Sequence, residues 1–113
     1  MRCEVVLPVK NIDRCRYFYR ETLALGEPVV DSCNFVQFQL NDGTMLTLER
    51  DNAPQYTPCR AFLRLELENF AAVKRNLDEQ ETALVPYDIS STGEWFRLID
   101  PEGNILVIKA AGN

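Results

Sequence analysis

A repeat constrains this chain more than any other feature. Glu4 to Asn11 falls on Phe62 to Asn69 at a shift of 58 residues. Both segments read as a strand, a two-residue link and a helix-capping asparagine. A shift of 60 lays Asp42-Gly43-Thr44-Met45-Leu46-Thr47-Leu48 on Glu102-Gly103-Asn104-Ile105-Leu106-Val107-Ile108. Both of these read as a tight turn followed by an apolar strand. Chance alternation imitates one element easily, but not a whole order of elements twice. The expected architecture is α+β: two β-α-β-β-β modules, one at 1–50 and one at 61–113, joined by a linker at 51–60.

Each module is legible from its periodicity. In Glu4 to Val9, Val5, Leu7 and Val9 share one face, while Glu4, Val6 and Pro8 share the other. Pro8 marks an edge strand or a strand end. Asn11 and Asp13 open a helix. Ile12, Cys15, Phe18, Tyr19, Thr22 and Leu23 form its buried stripe. The helix is expected to run to Leu25, with Gly26 as its left-handed stop. Glu27 to Val30 is a short extended piece. Phe35 to Leu40 and Met45 to Glu49 flank the hairpin turn Asn41-Asp42-Gly43. Pro54, Pro58, Asn52 and Gln55 give the linker its composition. The second module repeats the order. Phe62 to Leu67 is a strand, and Asn69 caps a helix with Phe70, Val73 and Leu77 inward. Thr82 to Asp88 is a short strand region, and Ser90 to Gly93 is a loop. Trp95 to Ile99 and Ile105 to Lys109 close the module around Asp100-Pro101-Glu102-Gly103-Asn104. Pro fixes φ in that turn, Gly accepts positive φ, and Asp caps the backbone.

Composition removes several function classes. The formal net charge is −5, which argues against nucleic acid and anionic membrane as partners. No apolar run reaches the ~18 residues of a membrane span. Met1-Arg2-Cys3-Glu4 lacks a signal-peptide layout. The four cysteines, Cys3, Cys15, Cys33 and Cys59, are scattered without a Cys-x-x-Cys spacing, as expected for reduced thiols in a cytoplasmic protein. There is no histidine, so the commonest metal ligand and general base are absent.

The paired modules, Val9-Lys10-Asn11 leading into a helix with Tyr17-Phe18-Tyr19, and the Asp100-Pro101-Glu102-Gly103-Asn104 hairpin resemble the vicinal oxygen chelate superfamily. That is the fold of glyoxalase I, bleomycin- and fosfomycin-resistance proteins and extradiol dioxygenases. The resemblance implies half-barrel modules with helices on their outer faces, a cavity, and dimers that complete it. It also implies four metal-ligand positions, mostly His and Glu in the family. They fall here on Glu4, Thr47, Phe62 and Val107. Only Glu4 of the four is a good ligand. Glu49, two residues beyond Thr47 on the same face, is a possible substitute, and two carboxylates still leave a poor site. The expectation is therefore no metal and no cofactor.

Strand parity assigns the remaining candidates. The faces turned away from the helices carry Glu4, Gln37, Thr47, Glu49, Phe62, Arg64, Trp95, Arg97 and Val107. Aromatic area mixed with a few polar groups is the composition of a small-molecule pocket. A solvated sheet face whose charges neutralise each other across strands has the same composition. The leading expectation is a homodimeric, metal-free protein that binds or sequesters a cationic or aromatic small molecule. The alternatives are a lyase, isomerase or dioxygenase with a displaced metal site, and a structural or regulatory dimer with a vestigial cavity.

Overall fold

Alternating strands and two helices produce the same path twice in the computed structural model, which describes residues 1–51, 60–87 and 94–111. The Asn11 side chain caps the first helix by accepting from the Arg14 N–H, whereas the Asn69 side chain makes no such bond at the second. The strands are β1 (Glu4–Val9), β2 (Val30–Asp31), β3 (Phe35–Gln39), β4 (Met45–Arg50), β5 (Phe62–Leu67), β6 (Val85–Tyr87), β7 (Trp95–Ile99) and β8 (Ile105–Ala110). The helices are α1, Ile12–Tyr17 continued by a wide π turn at Phe18–Thr22, and α2, Phe70–Glu79. The expected linker residues 52–59 and the loop 90–93 lie outside the described residues. The chain divides into two compact units, Met1–Cys59 and Arg60–Asn113. No helix among the described residues is long and apolar enough to cross a membrane. Cys3, Cys15 and Cys33 carry reduced thiols.

Unit one is a four-stranded mixed sheet in the order β1-β4-β3-β2. β1 runs parallel to β4, in register Val5 with Leu46 and Leu7 with Leu48. The β3–β4 and β2–β3 pairs are antiparallel. β1 lies at the sheet edge, where Pro8 removes no ladder bond that the sheet needs. The α1 side buries Leu7, Val9, Val36, Phe38, Leu46 and Leu48 against Ile12, Cys15, Tyr19 and Leu23. The rings of Tyr19 and Phe38 meet with centroids 6.5 Å apart. Arg16 ties α1 to the β2–β3 turn, its Nε donating to Asp31 Oδ1 at 2.8 Å and its Nη2 to the Ser32 carbonyl at 2.7 Å. Its Nη1 hydrogen bond to Asp13, within α1, raises the guanidinium above its ordinary pKa.

Unit two repeats this topology in the order β5-β8-β7-β6. β5 runs parallel to β8, in register Leu63 with Leu106 and Leu65 with Ile108. α2 sets Val73 and Leu77 into the core and stacks Phe70 on Phe96 at 5.7 Å. Phe62 on β5 and Tyr87 on β6 meet with ring centroids 6.2 Å apart. Those strands are the two edges of the sheet. Laid flat, they would be separated by about 14 Å laterally. The sheet of unit two is therefore strongly curled, with Phe62 and Tyr87 on its concave face.

The helix ends correct the sequence reading. α1 stops at Leu23 and not at Leu25, because the Leu23 N–H reaches back to the Phe18 carbonyl, an i→i−5 bond that widens the last turn. The left-handed residue that follows is Ala24, at φ 54°, and Gly26 lies beyond it. α2 ends the same way on Glu81, also at φ 54°. There the Glu81 N–H bonds the Asp78 carbonyl and the Thr82 N–H bonds the Leu77 carbonyl, the paired bonds of a Schellman motif. A Cβ disfavours this conformation by about 1–2 kcal/mol. Ala24→Gly and Glu81→Gly should therefore each raise unfolding stability by about 0.5–1 kcal/mol in urea titrations, after the unfolded-state entropy of Gly is subtracted.

The two hairpins share backbone bonds but differ in side-chain support. Asp100 is buried. Its Oδ1 accepts from the Glu102 and Asn104 N–H groups and its Oδ2 from Asn104 Nδ2, at 2.8–2.9 Å. Asn104 Oδ1 in turn accepts from the Ala61 N–H at 2.8 Å, joining the turn to the start of β5. In unit one, Asp42 is exposed and accepts from the Thr44 N–H at 2.9 Å, and hydrogen bonding from Thr44 lowers its pKa. Asp100→Ala leaves three donors without their acceptor, one of them a buried backbone N–H. It should cost about 2–3 kcal/mol of stability in the same titration, and clearly more than Asp42→Ala.

Candidate functional site

The sheet face of unit one that turns away from α1 carries a small polar cluster. Thr47 stands on β4, in register with Gln37 on β3 and Val6 on β1. Glu4 is on β1, one pleat back on the same face. The Thr47 hydroxyl donates to Glu4 Oε2 at 2.6 Å. Gln37 Nε2 donates to the same oxygen at 3.0 Å and to Thr47 Oγ1 at 3.2 Å. One carboxylate oxygen thus gathers the hydroxyl and the amide across three strands. Thr47 is fully buried at 0% exposure, while Glu4 is exposed. Glu49 is exposed two residues beyond Thr47, level with Pro8 and Phe35. That spacing, about 7 Å along a strand, sets it outside the cluster.

The corresponding face of unit two is built from other chemistry. Val107 on β8 lies in register between Arg64 on β5 and Arg97 on β7. Val107 is fully buried at 0% exposure, and both arginines are exposed. Arg64 places its guanidinium 5.9 Å from the centre of the Phe62 ring. Lys109 places its ammonium 5.0 Å from the centre of the Trp95 ring and 3.4 Å from Glu66 Oε1. Phe62 remains 48% exposed and Ile99 57% exposed. Tyr87 completes the aromatic group by its contact with Phe62 and its register with Trp95.

Of the candidates drawn from the sequence, Glu4, Gln37 and Thr47 form one hydrogen-bonded group. Phe62, Arg64, Trp95, Arg97 and Val107 share the unit-two face, and Glu49 stands apart from the cluster. Sequence reasoning missed Tyr87 as a site residue. Its parity depends on the register of the edge strand β6, which the sequence pattern alone does not set.

The register gives the two units the same symmetry of positions with different residues in them. Glu4 relates to Thr47 as Phe62 relates to Val107, one pleat apart across a parallel pair. A divalent ion needs three or more N or O donors. Phe62 and Val107 supply none, and the Thr47 hydroxyl hydrogen is directed at Glu4. Among the described residues, no three His, Cys, Asp or Glu side chains cluster as a metal site would require. The residues present do not fit the family's metal.

No protein-family model matches the chain, and no curated protein matches it in sequence. Solved structures do match. An antibiotic binding protein, TnmS3 from Streptomyces sp. CB03234, is 22% identical with a TM-score of 0.74, over 99% of this chain and 96% of that one. A glyoxalase/dioxygenase from Nostoc punctiforme is 23% identical with a TM-score of 0.70, over 97% and 90%. A lactoylglutathione lyase from Agrobacterium tumefaciens is 19% identical with a TM-score of 0.72, over 94% and 90%. At such identities the likeness is one of fold. The β-α-β-β-β modules expected from the repeat are the modules observed.

The donor set gives a direct test. Purified protein should carry no stoichiometric zinc, nickel, manganese or iron by elemental analysis, and EDTA should leave its melting temperature unchanged. One tightly held transition metal per chain would contradict the site as described.

Proposed function

We propose that this chain, which has the fold of the vicinal oxygen chelate superfamily, is a homodimeric protein that binds and sequesters an aromatic small molecule without metal chemistry. The observation that carries this reading is the concave face of unit two. Phe62, Tyr87 and Trp95 gather there on one sheet surface, and Phe62 stays half exposed. Soluble proteins bury such rings in cores unless the surface has a use, and an aromatic wall with a few oriented polar groups suits a flat ligand. The fold neighbour described as an antibiotic binding protein is consistent with binding as the whole function. An enzyme reading through a metal has no donors at Phe62 or Val107 to stand on.

Apolar side chains on the helix-free faces support the homodimer. Val6 and Ile99 are exposed there, and so is Val85 on the edge strand β6. A second copy would cover them, and a chain of this size gains more burial by pairing than alone. Multi-angle light scattering at micromolar concentration should return twice the chain mass.

Replacing Arg64 by Ala should weaken binding of an aromatic ligand in calorimetry by about two- to tenfold, with the melting temperature within about 2 °C of the parent. The side chain is exposed, so a polar contact is lost and not core volume. Phe62→Ala should weaken binding further, because stacking area goes with the ring. Retention of full affinity in Phe62→Ala would refute the aromatic site.

A further inference from the structure

We infer that the aromatic face of unit two selects ligands bearing an anionic group, such as an aromatic carboxylate or phenolate; the inference rests on the binding function proposed above. The protein as a whole is acidic, with a formal net charge of −5. This face is not. It carries Arg64, Arg97 and Lys109 against the single carboxylate of Glu66, which lies 3.4 Å from Lys109. Among the described residues, no carboxylate pairs with Arg64 or Arg97. Both are exposed and flank Val107 in one row of the sheet. Their strands stand two spacings apart, about 10 Å. Two like charges this close repel unless something negative sits between or above them.

Arginine stays charged at every physiological pH, and its planar fork matches a carboxylate in two parallel hydrogen bonds. Val107, between the two arginines in the row, is fully buried. Arg64 already lies over the Phe62 ring, so guanidinium and ring face the same space. Lys109 lies over Trp95 in the same manner. A planar ring placed on this face contacts aromatic surface, and an anionic substituent on it comes within reach of both arginines. A cationic substituent meets three like charges and one carboxylate, Glu66, which Lys109 already engages.

Three ligands with one ring system separate the possibilities: 2-naphthoate, 2-naphthamide and 2-naphthylmethylammonium, titrated by calorimetry into the intact protein. 2-Naphthoate should bind about tenfold tighter than the amide at low salt, and the advantage should shrink as salt is added. The ammonium compound should bind more weakly than the amide. In Arg64→Gln/Arg97→Gln the ratio of naphthoate to amide affinity should fall to near one. Equal binding of naphthoate and amide by the parent overturns the anion preference while leaving the aromatic reading standing. Preference for the ammonium compound overturns it as well, and so does a ratio that survives the double substitution. Failure of all three to bind overturns the aromatic reading and this inference with it.

Discussion

The structure depends on a parallel pairing between the first and last strands of each unit. β1 must lie beside β4, and β5 beside β8, although a helix and two strands intervene in sequence. Such a pairing needs a crossover, and α1 or α2 supplies it. The helix then covers one face of the sheet, where Leu7, Leu46 and Val9, or Leu106 and Ile108, are buried. The other face is left for chemistry. The register decides which residues meet there: Glu4 with Thr47 and Phe62 with Val107, one pleat apart. A slip of one residue would exchange the two faces completely. The aliphatic set on the helix side forbids that slip, since each large apolar side chain turned to water forfeits about 1.5–3 kcal/mol.

One frame thus holds two different surfaces. In unit one, the positions nearest the parallel pairing are joined by hydrogen bonds, with Glu4 Oε2 accepting from both Thr47 and Gln37. The buried Thr47 hydroxyl is satisfied within the chain, as a buried polar group must be. In unit two, the equivalent positions are apolar, and the polar groups stand around them as Arg64, Arg97 and Lys109. The unit-one group offers one carboxylate and a hydroxyl that already serves it, and the unit-two positions offer no donor, so neither face is a metal site by itself.

Much of this was legible in the sequence, for physical reasons. β1, β5 and the two long hairpins follow from period-two alternation, and a helix-covered sheet enforces that alternation strongly. Offsets of 58 and 60 located both modules, because equivalent turns need equivalent chemistry. The ends of the helices were not legible. Gly26 does take a positive φ, 83°, but Ala24 takes a left-handed conformation two residues before it, because the wide turn at Phe18–Thr22 ends the helix early. The hydrogen bonds of the cap outweigh the penalty on its Cβ. Glu81 is the same case without any glycine nearby. The turn-capping by Asp100 was legible, but its burial was not. At the 60-residue offset its counterpart in unit one is Leu40, whose side chain offers no acceptor to the turn, and Asn104, which links the turn to Ala61, is matched by Thr44. Tyr87 was missed because edge-strand register is set by packing and not by local pattern.

The sign of charge on the binding face shows why composition misleads at this scale. A net charge of −5 describes the whole surface. In physiological salt, however, exposed charges act over about 8 Å. A ligand on the unit-two face therefore responds to Arg64, Arg97, Lys109 and Glu66, and hardly to acidic residues elsewhere. Period-two alternation already places these four on one face, so the local sum was available from the sequence. The curl of the sheet, expected of half-barrel modules, is visible in the contact between Phe62 and Tyr87. Curvature turns a row of side chains into a concave wall, and a concave wall lets several charges and rings act on one ligand at once.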